Sequence, residues 1–218
     1  VCDWNGDGFY DVLATRAGTE SALFMNDGKG GFVRAASPMK EGREAGFSPL
    51  LLDLDNDGKD ELLTGQVLSY ENQTAYIGVY VQENGGWTLR PRALAAPLAK
   101  GTRAVLVQGV EPMDADGNGL IDLFFCNYSS TDSLGRDFNR VAAYDGMDNW
   151  LFMNYVKLDL REESDGRGIA GTQYTYVAKA WDFDADGDSD IFEGNDFGPN
   201  HLWLNDGNAN FAEAKDHI

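Results

Sequence analysis

Apolar residues in this chain come in short runs, and the same acidic punctuation separates them. Leu50-Leu-Leu52, Val105-Leu-Val107 and Tyr176-Val-Ala178 each run toward an acidic, glycine-containing stretch, and Val12-Leu13, Leu62-Leu63, Leu123-Phe-Phe125 and Ile191-Phe192 leave one. Short aliphatic and aromatic runs bounded by Asp/Asn/Gly clusters read as strands. The predicted unit is therefore strand, acidic loop, strand, and it occurs four times. A second turn signal sets the register. Leu23-Phe-Met-Asn-Asp-Gly-Lys-Gly-Gly-Phe32 and Leu202-Trp-Leu-Asn-Asp-Gly-Asn-Ala-Asn-Phe211 both place the leucine 20 residues, and the phenylalanine 29 residues, after the first aspartate of the preceding acidic loop. Asn-Asp-Gly between apolar runs predicts a hairpin turn, because Asn and Gly accept positive φ at little cost. The third unit keeps Trp150-Leu-Phe-Met-Asn154 without the Asp-Gly, and the second has the longer Tyr76-Ile-Gly-Val-Tyr-Val-Gln-Glu-Asn-Gly-Gly-Trp87. Each unit then reads as four strands: A, acidic loop, B, a variable connection, C, a turn, and D.

The acidic loops share one pattern. Asp182-Phe-Asp-Ala-Asp-Gly-Asp-Ser-Asp190 carries carboxylates at positions 1, 3, 5 and 9 and glycine at position 6. Asp3-Trp-Asn-Gly-Asp-Gly-Phe-Tyr-Asp11, Asp53-Leu-Asp-Asn-Asp-Gly-Lys-Asp-Glu61 and Asp114-Ala-Asp-Gly-Asn-Gly-Leu-Ile-Asp122 repeat it, with Asn5, Glu61 and Asn118 as the variants. Oxygens at alternate positions of a tight loop converge on one point, which suits a hard divalent cation; calcium takes six to eight such ligands. Glycine at position 6 lets the backbone turn and offer the carbonyl of position 7. Unneutralised, these charges would repel one another. An acidic surface loop is the plainer reading of any one copy, and four copies in register argue against it. An EF-hand is excluded, since it needs flanking helices and a bidentate Glu at position 12. Position 12 is Ala14, Thr64, Phe125 and Glu193, and the flanks are strands.

The first aspartates stand at 3, 53, 114 and 182, giving spacings of 50, 61 and 68. Strand-rich repeats of this length point to an all-β chain, a β-propeller of four-stranded antiparallel blades. The expected division is a single propeller region, 1–218, with blades at about 1–40 (lacking the inner strand), 41–97, 98–170 and 171–218. Trp4, Trp87, Trp150, Trp181 and Trp203 are expected to pack between blades. Two stretches break the period and read as irregular: Asn127 to Asn149, a long B–C loop, and Arg161 to Gly171, which joins units three and four.

Composition adds three constraints. The net charge is −19, and four calcium ions on the loops would reduce it to −11. So acidic a surface disfavours a nucleic-acid partner. No apolar run approaches the roughly 20 residues of a membrane span. Cys2 and Cys126 sit in strand-like contexts and read as two buried free thiols, with a bridge between them left open. Asn72-Gln-Thr74 and Asn127-Tyr-Ser129 match the N-glycosylation triplet. No signal peptide is read, and the chain opens two residues before an acidic loop, as an excised or processed piece of something longer would.

The repeats resemble the FG-GAP/VCBS superfamily, whose calcium-loop blades also build integrin α-chain propellers. The segment from Ala180-Trp-Asp-Phe-Asp-Ala-Asp-Gly-Asp-Ser-Asp-Ile-Phe192 into Asn195-Asp-Phe-Gly-Pro-Asn-His-Leu-Trp-Leu-Asn205 is most similar to the bacterial VCBS-type repeats and the cartilage-acidic-protein (ASPIC/UnbV) relatives. The resemblance implies calcium, up to four ions, at the A–B corner of each blade. Carried over by position, the ligands are Asp3, Asn5, Asp7, Asp11 and the Phe9 carbonyl; Asp53, Asp55, Asp57, Glu61 and the Lys59 carbonyl; Asp114, Asp116, Asn118, Asp122 and the Leu120 carbonyl; and Asp182, Asp184, Asp186, Asp190 and the Asp188 carbonyl. Seven blades are usual in such propellers, so the chain reads as a fragment, a four-bladed ring, or a subunit completed by another copy.

Three functions compete. The leading expectation is a secreted or cell-surface, non-enzymatic calcium-binding repeat protein serving adhesion, interaction or assembly with a protein or glycan partner. A carbohydrate-active enzyme, a polysaccharide lyase or hydrolase, is the second; only His201 and His217 are available as imidazole bases, and no nucleophile–base pair stands out. An extracellular homopolymeric filament or sheath is the third, because an open blade edge invites strand pairing.

Overall fold

In a computed structural model, residues 1–15, 21–37, 39, 49–100, 102, 105–130, 146–169 and 171–214 are described. They form an all-β structure of antiparallel sheets, apart from one short 3-10 turn at Asp165–Arg167. The first sheet holds β1 (Val12–Ala14), β2 (Ala22–Asn26) and β3 (Phe32–Ala35). The second holds β4 (Leu50–Leu52), β5 (Glu61–Glu71), β6 (Thr74–Glu83) and β7 (Gly86–Pro97). In the third, β8 (Val105–Met113) and β9 (Asp122–Ser130) are followed by β10 (Met147–Asp148), β11 (Trp150–Asn154) and β12 (Leu160–Glu162). Here β8, β9, β11 and β12 pair in that order, while β10 makes a small ladder with β13 (Thr172–Gln173). The fourth runs β14 (Thr175–Trp181), β15 (Asp190–Asn195), β16 (His201–Asn205) and β17 (Phe211–Glu213) in simple sequence order. These are the up-and-down sheets of propeller blades, and the described residues do not close into a ring.

A two-residue alternation explains how the blades stack. Successive side chains on a strand point to opposite faces. The two residues after each acidic loop therefore face different neighbours. Leu62 packs with Leu13 and Trp4 of the first blade, whereas Leu63 packs with Leu123, Phe125 and Trp150 of the third. Leu123 faces back to the second blade and Phe124 forward to Ile191, Trp203 and Phe211 of the fourth. Each adjacent apolar pair thus serves two interfaces, and the buried Leu62, Leu63, Leu123, Phe124 and Ile191 confirm it.

Several expectations need correction. Asn127 to Ser130 are not loop: they extend β9, pairing with β8 as far as Val105↔Ser130, across bulges that let the longer strand keep its register. Met147–Asp148 is also strand, and 131–145 lie outside the described residues. The start of the Arg161–Gly171 stretch is the outer strand β12, and Asp165–Arg167 is a 3-10 turn. Trp4 and Trp87 do pack between blades, with ring centroids 4.8 Å apart, and Trp150 and Trp203 are buried. Trp181 is 66 % exposed, because it lies on the face of the fourth blade that turns away from the third. Cys126 is a buried free thiol as expected, but Cys2, also free, is only half-buried. Asn127 is fully buried and its amide donates to the Asp148 carbonyl, so it offers no site for a glycan.

Truncating Phe124 to alanine removes one side of the third interface. Its expected effect is a loss of about 3–5 kcal/mol in urea unfolding, with the largest increase in hydrogen exchange at Ile191 and Trp203.

Candidate metal centres

Every acidic loop occupies an A–B corner, or in the first blade the turn closed by the Cys2↔Asp11 bridge. Their internal geometry is shared. The position-6 glycine N–H donates to the second oxygen of the position-1 aspartate: Gly8 to Asp3 (2.8 Å), Gly58 to Asp53 (2.9 Å), Gly119 to Asp114 (2.9 Å) and Gly187 to Asp182 (3.2 Å). The position-5 amide donates to the position-3 side chain, from 3.0 Å (Asp7 to Asn5) to 3.3 Å (Asp186 to Asp184). These bonds wind the backbone around the carboxylates and turn their oxygens inward.

The position-6 glycines all adopt positive φ, from +83° to +104°. Position 4 does so too: Gly6 (+73°), Asn56 (+55°), Gly117 (+68°) and Ala185 (+65°). Sequence reasoning missed this second left-handed position, although two glycines and an asparagine there were the signal. Ala185 is the strained member of the set.

The structure brings the oxygens of Asp53, Asp55 and Asp57 within 4.8 Å of one another, and likewise those of Asp114, Asp116 and Asp122 and of Asp182, Asp184 and Asp190. A divalent cation fits these all-oxygen donor sets, which need a counter-charge. Asn118 stands at position 5 of the third loop. Glu61 and Asp186 lie outside the tightest groups, and among the described residues Asp3, Asp7 and Asp11 do not form one. The position-7 residues Phe9, Lys59, Leu120 and Asp188 each donate their amide to the position-5 side chain, at 2.7–3.3 Å.

Position 9 has a second role that spacing alone did not reveal. Asp11, Glu61, Asp122 and Asp190 are all buried. One oxygen of each accepts the position-2 amide: Trp4 (2.8 Å), Leu54 (2.9 Å), Ala115 (2.9 Å) and Phe183 (2.8 Å). In three of them the other oxygen accepts the amide at the end of strand C: Asn26 (2.8 Å), Asn154 (2.7 Å) and Asn205 (2.8 Å). Asp122 and Asp190 thus pin the loop to strand C and also belong to the acidic clusters. Burial, reinforced by the neighbouring aspartates, pushes the Glu61 carboxyl up to about 7 and the Asp122 carboxyl up to about 6.

Residues 3–64, which carry the first two loops and the strands between them, match the FG-GAP-like repeat family. Loops three and four lie beyond the matched residues but repeat the position-6 bond of loops one and two and both position-9 bonds of loop one. No curated protein matches the chain.

Replacing Ala185 by glycine relieves the only non-glycine, non-asparagine left-handed residue among the four loops. The expected outcome is a stabilisation of roughly 1 kcal/mol, measured as a shift of the urea midpoint at unchanged slope.

Proposed function

We propose that this chain is a calcium-binding repeat protein of the extracellular or cell-surface type, non-enzymatic, that presents its blades for adhesion, interaction or assembly. The observation that carries the proposal is the convergence of carboxylates in three hairpin loops of identical design. Hard oxygen donors in a flexible loop favour calcium over magnesium, which demands near-octahedral geometry and dehydrates reluctantly. In this reading Asp53, Asp55, Asp57 and Glu61, with their counterparts in the other loops, hold the ion, and its charge offsets the repulsion within each corner. Extracellular modules of this kind bind calcium at roughly 10⁻⁴–10⁻³ M, a concentration found outside cells. No helix among the described residues is long and apolar enough to cross a membrane. The non-enzymatic reading is supported by His201, which is committed to structure: its ring stacks on Trp203 and its Nδ1 lies 2.8 Å from Glu213 Oε1.

Assembly through blade faces is favoured as the mode of interaction by one comparison. Phe32 of the first blade is 50 % exposed, whereas Phe211, at the same register position of the fourth, is 6 % exposed and packed on the third. On the fourth blade's outward side, Val177, Trp181 and Phe183 are exposed as well. Among the described residues, no other blade covers these side chains on either outer face.

Two measurements test the proposal. Chelation should lower the melting temperature markedly. Because Glu61 and Asp122 are raised above ordinary carboxylate values, their contribution to metal-free stability is fully present below about pH 4 and is lost as pH rises through 6 to 7. A cation binds the ionised form, so the gap between calcium-loaded and chelated melting temperatures should be small at pH 5 and wide at pH 8. No gap at any pH would refute calcium in these loops, and a gap independent of pH would show that Glu61 and Asp122 do not set the affinity. Light scattering tests assembly: a particle larger than one chain that Phe32→Asp reduces to the monomer is the expected result.

A further inference from the structure

Asn154 and Asn205 close strand C in the third and fourth blades, and both are buried. Within its own blade each side-chain amide donates to the carbonyl at position 8 of the loop: Asn154 Nδ2 to Ile121 (3.1 Å) and Asn205 Nδ2 to Ser189 (3.0 Å). The same nitrogen carries a second hydrogen, and this one crosses to the preceding blade. Asn154 Nδ2 donates to the Leu54 carbonyl (2.7 Å) and Asn205 Nδ2 to the Ala115 carbonyl (2.8 Å). Leu54 and Ala115 occupy position 2 of loops two and three, and their amides are already held by Glu61 and Asp122.

The bonds run on without interruption. Glu61 holds Leu54, Leu54 is held by Asn154, Asn154 is held by Asp122, Asp122 holds Ala115, Ala115 is held by Asn205, and Asn205 is held by Asp190. Asn56 of loop two also donates to the Gly119 carbonyl of loop three (3.1 Å). Loop one stands apart. Gln82 takes the place of the asparagine in the second blade, and it donates to the Asp60 carbonyl of its own loop (3.1 Å). Among the described residues the Trp4 carbonyl receives no corresponding bond.

We propose that Asn154 and Asn205 are positioning residues for the metal loop of the preceding blade, so that loops two, three and four take up cations as a linked set from which loop one is left out. The proposal rests on the calcium reading. Its physical basis is the peptide joining positions 2 and 3. Fixing the carbonyl of that peptide fixes the plane from which the position-3 aspartate projects. An ion in loop four orders Asp190, hence Asn205, hence the corner at Ala115, and linkage makes the effect reciprocal. Removing a bond of this outer kind typically reduces metal affinity by about 10–100-fold.

The test is calcium titration of the whole chain followed by hydrogen exchange, which reads half-saturation of each loop from its own amides. Asn205→Asp keeps the oxygen that accepts the Gly207 amide (3.2 Å) and replaces the donor by a carboxylate oxygen that the Ala115 and Ser189 carbonyls cannot bond. Expected is a roughly tenfold weaker half-saturation at loop three, whose ligands are untouched, with loop one unchanged; Asn205→Ala, which adds no charge, should do the same. Should those variants fail to fold, Asn154→Asp reads the same coupling at loop two. Wild-type affinity at loop three in a folded Asn205→Asp protein overturns the positioning role and leaves the calcium reading standing. A wild-type chain whose loop amides ignore calcium overturns that reading, and the coupling with it.

Discussion

A buried carboxylate at the last position of each acidic loop is the constraint on which the rest of the structure depends. An ionised carboxylate removed from water without partners is prohibitively costly. In Asp11, Asp122 and Asp190 both oxygens instead accept backbone amides, one from the loop and one from strand C. Those bonds decide where the loop ends, which residue begins strand B, and how strand C meets it. In loops three and four the same carboxylate also belongs to the acidic cluster that could hold a cation, so loop closure and blade geometry share one residue there.

From that anchor the apolar order follows. Strand B begins at a defined residue, so the next two side chains fall on opposite faces. Leu62 and Leu63, or Leu123 and Phe124, therefore enter different cores without any choice by the loop itself. Blade stacking and metal-loop register are consequences of one fixed starting point, and a one-residue slip would exchange the two faces.

The resemblance to calcium-loop repeats and the all-β blades were readable because their signals are local. Alternating oxygen donors, a glycine at position 6 and an Asn-Asp-Gly turn each specify a few torsion angles within a few residues. Tertiary context misled the reading where it competed with local signals. The polar run after Cys126 looked like loop, yet pairing with β8 carries it on as strand to Ser130. Trp181 looked like interface, yet its parity on β14 turns it outward.

Sequence by itself determined the four loops, their ligand candidates, and the strand–loop–strand unit, because those depend on residue types at short, constant spacing. Only the tertiary structure decided that position 9 is buried and doubly bonded, and that Asn154 and Asn205 reach Leu54 and Ala115. These partners lie 100 and 90 residues apart along the chain. No spacing rule connects them; stacking one blade on the next does.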